Sequence, residues 1–275
     1  MLSISVDGIW DLIFLFAAGC AGGFISGLLG VGGGIIFVPI LDYFLTKYGA
    51  NSTDLVRYTL ANSFLAIVVS GGAASFSSFR SRIINYSHLF SISISAIVFV
   101  LITSWLISIG TWYSPLEFKL FFSAMLLFTL IKTLLHIEAD GSNERMTPRL
   151  GILSGMLTGI VAGLSGLGGG VIMIPLFMMF GNLTIKKASA LSLAVIPLIA
   201  LPNVIYYVLN KPEIVLPGSS GYIVWPVILP LLIGVFITVK AGLKLAHKLT
   251  PKIIKAIFAC FIILTIIKTL ASLLI

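Results

Sequence analysis

Two short stretches hold the residues best suited to chemistry. One is Gly30-Val31-Gly32-Gly33-Gly34-Ile35-Ile36, closed by Pro39; the other is Gly166-Leu167-Gly168-Gly169-Gly170-Val171-Ile172, closed by Pro175. Glycine takes backbone angles that other residues avoid and lets a ligand reach bare peptide N–H. The helix that starts after each triplet has unpaired N–H groups in its first turn and the positive end of a helix dipole. Both favour an anion. If the two turns face one another, Gly32, Gly33 and Gly34 join Gly168, Gly169 and Gly170 in one small anion site. Gly30, Pro39, Gly166 and Pro175 set the helix breaks around it. Asn62, Ser63 and Ser192 are the side-chain donors expected to complete the shell, with Ser165 beside the second turn.

Neither stretch is a phosphate loop, because no Gly-Lys-Ser/Thr follows, nor a dinucleotide fingerprint. Glycine in membrane helices also serves close packing, and that reading fits Gly19, Gly23, Gly27 and Gly155, Gly159, Gly163, each set spaced by four. For Asn62 and Ser63 a bond between helices stands level with a ligand role. Asp42 lies near a segment end, where an interfacial role competes with a functional one. Lys132 and Lys268 are placed to snorkel to the interface.

Composition sets what can carry these turns. Of 275 residues, 59% are hydrophobic and 9% charged, with a mean hydropathy of +1.15. Apolar runs of about 20 residues recur along the chain, long enough to cross a bilayer as helix. Barrel-type alternation is absent, so the chain reads as an all-α polytopic membrane protein. The net charge of +8 comes from Lys and Arg between apolar segments, a positive-inside pattern rather than a nucleic-acid surface. Cys20 and Cys260 fall in separate apolar segments and read as packed free thiols. Asp7 and Asp11 without Lys or Arg do not make the basic start of a signal peptide.

In order, the first segment runs from about Ile9 to Leu29. The second, Ile35 to Tyr48, holds Pro39 and Asp42 and is short: ~14 residues reach only ~21 Å of a ~30 Å hydrocarbon core. The pair therefore reads as a re-entrant hairpin tipped by the Gly turn, tolerated only inside protein or beside a watery cavity. Whether segments 35–48 and 171–181 re-enter or cross is left open by length alone. Segments follow at about Leu55–Ala74, His88–Ile109 and Leu116–Leu135, and then a polar linker.

The second half repeats the first. Pro175 lies 136 positions after Pro39, Pro251 lies 136 after Pro115, and Ile267-Lys268-Thr269-Leu270 repeats Ile131-Lys132-Thr133-Leu134 at that spacing. Glycines 19, 23, 27, 30, 32, 33 and 34 all meet glycines at the same offset. This is an internal duplication. It divides the chain into residues 1–137, a linker at 138–149, and residues 150–275. The third segment matches Ala188–Leu209 with a deletion of about seven residues, and the last two match Ile223–Val239 and Ile253–Leu274. Equivalent loops differ in charge. The loop with Arg80 and Arg82 matches a poorly charged one at Lys211-Pro212-Glu213. The neutral turn before Pro115 matches a basic turn with Lys240, Lys244, Lys248 and Lys252. Opposite bias implies opposite faces, hence inverted repeats and an external N-terminus, each repeat a Gly-rich broken hairpin plus three transmembrane helices, with about eight transmembrane segments by hydropathy. Inverted repeats with broken helices are a transporter signature, with the site near the midplane.

The run Gly23-Phe-Ile-Ser-Gly27-Leu-Leu-Gly30-Val-Gly-Gly-Gly34, with Phe37-Val38-Pro39, resembles the TauE/SafE family of membrane permeases. So does Gly159-Ile-Val-Ala-Gly163-Leu-Ser-Gly166-Leu-Gly-Gly-Gly170 with Ile174-Pro175. The resemblance spans nearly the whole chain. It implies export of sulfite or a small organosulfonate such as sulfoacetate across the bacterial inner membrane. Family members often show Thr-Ser after the first break, where this chain has Asn62-Ser63 and Leu191-Ser192. The partners expected are a small inorganic or organosulfur anion, the lipid bilayer and a coupling ion, proton or sodium, with homo-oligomers open and no nucleic acid. No cofactor, metal or enzyme chemistry is expected, because His88, His136 and His247 sit at segment ends without a ligand spacing. The rival readings are a membrane subunit that anchors or assists a partner, and an anion channel. Inverted repeats predict that single cysteines at Ser81 and Ser219 label from opposite faces of the membrane. Impermeant thiol labelling of intact and permeabilised cells measures this, and labelling from one face would mean parallel repeats.

Overall fold

Apolar length and proline position fix the elements. The computed structural model describes residues 8–51, 53–80, 86–110, 112–135 and 144–274. Ten helices account for nearly all of them: α1 (Gly8–Leu29), α2 (Gly34–Lys47), α3 (Leu55–Arg80), α4 (Tyr86–Ile109), α5 (Pro115–Leu135), α6 (Pro148–Ser165), α7 (Gly170–Met179), α8 (Ile185–Leu209), α9 (Trp225–Lys248) and α10 (Pro251–Leu274). A two-stranded ribbon, β1 (Ser219–Ser220) and β2 (Ile223–Val224), stands between α8 and α9. Among the described residues six helices are long and apolar enough to cross a bilayer: α1, α3, α4, α6, α8 and α9. The protein is a multi-pass, all-α membrane protein. Arg82, His136 and residues 138–143 of the linker lie outside the described residues.

Helix starts follow ordinary capping. Thr147 accepts a bond from Leu150 N at 3.2 Å, with Pro148 opening α6, and Thr184 accepts from Lys187 N in α8. One sequence expectation is corrected. Lys240, Lys244 and Lys248 do not form a turn but ride the last two turns of α9, because nothing interrupts the helix before Pro251. The connection is only Leu249-Thr250. The ribbon was not foreseen, being too short to give a strand pattern.

Packing crosses between the halves. The most extensive seam joins α1 to α9, and the next joins α6 to α4. Glycine makes both possible. A β-carbon at Gly19 would stand 2.1 Å from the Leu231 carbonyl oxygen, and one at Gly27 2.1 Å from that of Val239. Gly155 and Gly159 meet the Ile92 and Ala96 carbonyls in the same way, at 2.4 Å each. The stripes are thus backbone-to-backbone contacts, as small-residue spacing implies. At the centre α3 packs on α8, and the two run antiparallel: Asp54 and Tyr58 at the start of α3 bond the chain just after α8, while Ala74 near its end packs with Leu193 near the start of α8. Cys20 and Cys260 are free, and Cys260 lies exposed rather than packed.

These seams carry a stability prediction. Gly19→Ala or Gly159→Ala should push the paired helices apart and cost about 1–3 kcal/mol, as overpacking does. A fall in detergent melting temperature for each, against an unchanged value for Gly72→Ala with open space at its β-carbon, is the expected result.

Candidate functional site at the two helix breaks

The two breaks have the same backbone. Gly30, Gly32 and Gly33 take φ of 75°, 84° and 74°, and Gly166, Gly168 and Gly169 take 67°, 68° and 77°. Each is left-handed, a conformation that glycine adopts at little penalty and that ends a right-handed helix at once. Gly33 and Gly169 then cap α2 and α7, of 14 and 10 residues, and as glycines bring no side chain to the first-turn N–H groups, of which those of Ile36 and Ile172 bond the Gly33 and Gly169 carbonyls. All residues of both breaks are buried.

The breaks abut. A β-carbon at Gly34 would stand 2.8 Å from Leu167 Cα, and one at Gly170 2.8 Å from Val31 Cα. The first residue of each short helix therefore rests on the turn of the other half. Ile67 of α3 and Ile196 of α8 close over both, at 3.5 and 3.3 Å from a β-carbon at Gly32 and at 2.9 and 3.5 Å from one at Gly168. Gly30, Gly32, Gly34, Gly166, Gly168 and Gly170 are thus brought together. The side-chain space at Gly33 and Gly169 instead faces Phe37 and Thr158. Pro39 and Pro175 sit one turn into α2 and α7.

Of the expected donors, two are at the breaks. Ser63 Oγ donates to Gly166 O at 2.7 Å, and Ser192 Oγ donates to Gly30 O at 3.2 Å, each reaching the other half's turn. Ser70, missed in the sequence, donates to Gly32 O at 3.0 Å; its place seven residues after Ser63 puts both on one face of α3. Ser165 Oγ bonds Val161 O and accepts from Leu167 N. In this conformation the hydroxyls of Ser63, Ser70 and Ser192 hold break carbonyls.

Asn62 lies elsewhere. Its amide donates to Tyr58 O at 2.8 Å and Tyr222 O at 2.9 Å and accepts from Val224 N at 3.1 Å, fastening the ribbon to α3. Nearby, the fully buried Asp54 carboxylate is matched by Arg57 at 3.1 Å, Glu213 N at 2.7 Å and Tyr222 Oη at 3.1 Å. A buried carboxylate is tolerable only when so surrounded. Burial pushes the Tyr222 phenol up to about 12, so it stays a neutral donor. This network, with Tyr58 and Tyr222 rings 5.1 Å apart, locks the chain after α8 onto the start of α3. Asp54 and Arg57 gave no sequence signal beyond a charge pair at a segment end.

Broken apolar helices meeting inside a multi-pass bundle are an arrangement that membrane transporters use. The chain belongs to the sulfite exporter TauE/SafE family, whose model matches residues 15–269. It is 28% identical over 221 residues to a probable membrane transporter protein of Methanocaldococcus jannaschii, covering 79% of this chain and 80% of that one. It is 26% identical over 225 residues to one of Haemophilus influenzae, covering 79% and 82%. With YunE, a probable membrane transporter protein of Bacillus subtilis, it shares 23% over 245 residues, covering 81% and 84%. The protein is a transporter and not an enzyme.

The anchoring role of Asn62 is testable. Asn62→Leu should leave Tyr222 O and Val224 N buried without partners and cost about 2–4 kcal/mol, read as a lowered melting temperature. Weaker anion binding at an unchanged melting temperature would place Asn62 at the ligand instead.

Proposed function

We propose that the protein is a secondary transporter, in the export direction, for a small anion such as sulfite or an organosulfonate, working by alternating access in the bacterial inner membrane. The observation that carries this reading is the contact of the two helix starts: Gly34 lies on Leu167 and Gly170 on Val31. First-turn N–H groups and two positive dipole ends converge there, in an apolar interior where their attraction for an anion is little screened. Gly32 to Gly34 and Gly168 to Gly170 supply backbone donors, and Ser63 and Ser192 hydroxyls turn from break carbonyls to the ligand when Ile67 and Ile196 move aside. Asn62 acts by holding the ribbon.

The antiparallel run of α3 and its counterpart α8 supports inverted repeats, since parallel repeats would bring equivalent helices together in parallel. So does the exchange of α1 and α6 onto the other half's fourth helix. With the hairpins α1–α2 and α6–α7 each entering and leaving on its own face, α3, α4 and α5, and α8, α9 and α10, make three crossings per half, the odd number that inverted repeats require, and α1 and α6 bring the long apolar segments to eight. Charge bias supports an N-terminus in the periplasm.

Flux into vesicles holding only the purified protein tests the reading. Saturable uptake of sulfite, thiosulfate or sulfoacetate is expected, with competition among anions and none from neutral isosteres. Flux that never saturates would mean a channel, and no flux would mean a subunit that serves a partner. Ile67→Phe, which puts a ring over Gly32 and Gly168, should lower flux at least about tenfold at an overpacking cost of about 1–3 kcal/mol. Native flux in that variant would move the site away from the breaks.

A further inference from the structure

A cleft of ≈ 590 Å³ opens between α2, α5 and α10, floored by Val38 and Pro39. Asp42 of α2 stands in it with its side chain 13% exposed, and Lys119 of α5 pairs with its Oδ2 at 3.2 Å. Its Oδ1 is buried and meets no donor. Lys268 of α10 lines the same cleft; its ammonium lies 3.4 Å from Pro39 O and has no carboxylate within 4.0 Å among the described residues. Lys47 and Tyr43 flank Asp42 on its own helix, and Asp11 of α1 pairs with Lys47 at 2.6 Å. The charged groups around the cleft are thus three ammonium groups and two carboxylates.

The duplication supplies a control. An offset of 136 residues carries Pro39, Asp42, Phe122 and Lys132 onto Pro175, Met178, Phe258 and Lys268. The first half's cleft thereby maps onto a cavity lined by Pro175, Met178, Ile254, Phe258 and Lys132, of only ≈ 40 Å³. The same place is wide and polar in one half, tight and apolar in the other. Lys255 takes the place equivalent to Lys119, so the carboxylate is what the second half lacks.

We infer that this cleft is an anion site coupled to a proton: a small sulfonate or oxyanion pairs with Lys119 and Lys268 when a proton from solvent sits on Asp42 Oδ1. The coupling follows from one shared partner. Ionised, Asp42 neutralises Lys119 and would repel a second anion in the same cleft. Protonated, it frees Lys119 and leaves two cations for the ligand. Proton and anion therefore strengthen each other's binding by the same factor, as linkage requires. Asp42 alone of the two carboxylates shares Lys119, which sets one proton per anion. This site rests on the transporter reading, as a vestibule whose carboxylate lies about two turns of α2 from the first break, and names its coupling ion. Proton and anion then move together, so an inward proton gradient opposes export, and net export runs only where the outward anion gradient exceeds it.

Methanesulfonate is a suitable probe, because it stays ionised across the range in which carboxylates titrate. In purified wild-type protein its affinity should rise by up to about tenfold per unit fall in pH, through the window where Asp42 takes up its proton. Asp42→Asn should bind it with the acid-limit affinity at every pH, and so more tightly than wild type at neutral pH. Lys119→Gln should lose affinity at least about tenfold while melting normally. In vesicles an inward proton gradient should drive accumulation by wild type and not by Asp42→Asn. Wild-type binding that ignores pH, or an Asp42→Asn protein with unaltered pH dependence, would overturn the coupled site alone. Absence of any anion flux in wild type would overturn the transporter reading and this site with it.

Discussion

Backbone placed in an apolar interior must find hydrogen bonds without water, and the architecture of this protein answers to that constraint. Each glycine break frees carbonyls and N–H groups at a depth where an unpaired one costs several kcal/mol. The carbonyls are met by hydroxyls from the two central helices, and across the halves in two cases: Ser63 on Gly166 and Ser192 on Gly30. A break in one half is thus satisfied only when the other half is in place. The N–H groups at the starts of α2 and α7 are treated differently. Their N-cap glycines bring no side chain to them, and such helix starts favour negative charge, which is the basis of the proposed anion site.

The same dependence appears in the helix seams. Glycine at every fourth position removes side chains from one face, so that α1 meets α9, and α6 meets α4, at backbone distance. Dispersion over such a long contact, not a hydrophobic drive, holds helices together in lipid. The Asp54 network adds a polar clasp at one end of α3, where Arg57 also reaches the Ile107 and Ser108 carbonyls at the end of α4. Together these contacts make the two halves a single body.

Much of this was legible in the sequence because glycine and proline act locally. The helix ends at Leu29 and Ser165, the short α2 and α7, and the packing faces at Gly19 and Gly155 all follow from residues at those positions. The offset of 136 residues predicted which elements would correspond. What stayed hidden depends on contacts between distant segments. Asn62 has the polarity of a ligand donor, but its partners Tyr222 and Val224 lie 160 and 162 residues away, so nothing near it reveals an anchoring role. Asp42 and Lys119 look like separate interfacial charges until α2 and α5 are laid side by side. The basic stretch after Val239 reads as a turn by its charge, yet no residue within it stops a helix.

The exchange of first helices between halves sets an order of assembly. α1 is made well before its partner: its glycine face waits for α9, about 200 residues later, roughly 10–40 s at ordinary rates of synthesis. Through that interval a bare backbone stripe faces lipid or the insertion machinery. α6, by contrast, finds α4 already in the membrane. The seam between α4 and α6 can therefore form before the one between α1 and α9.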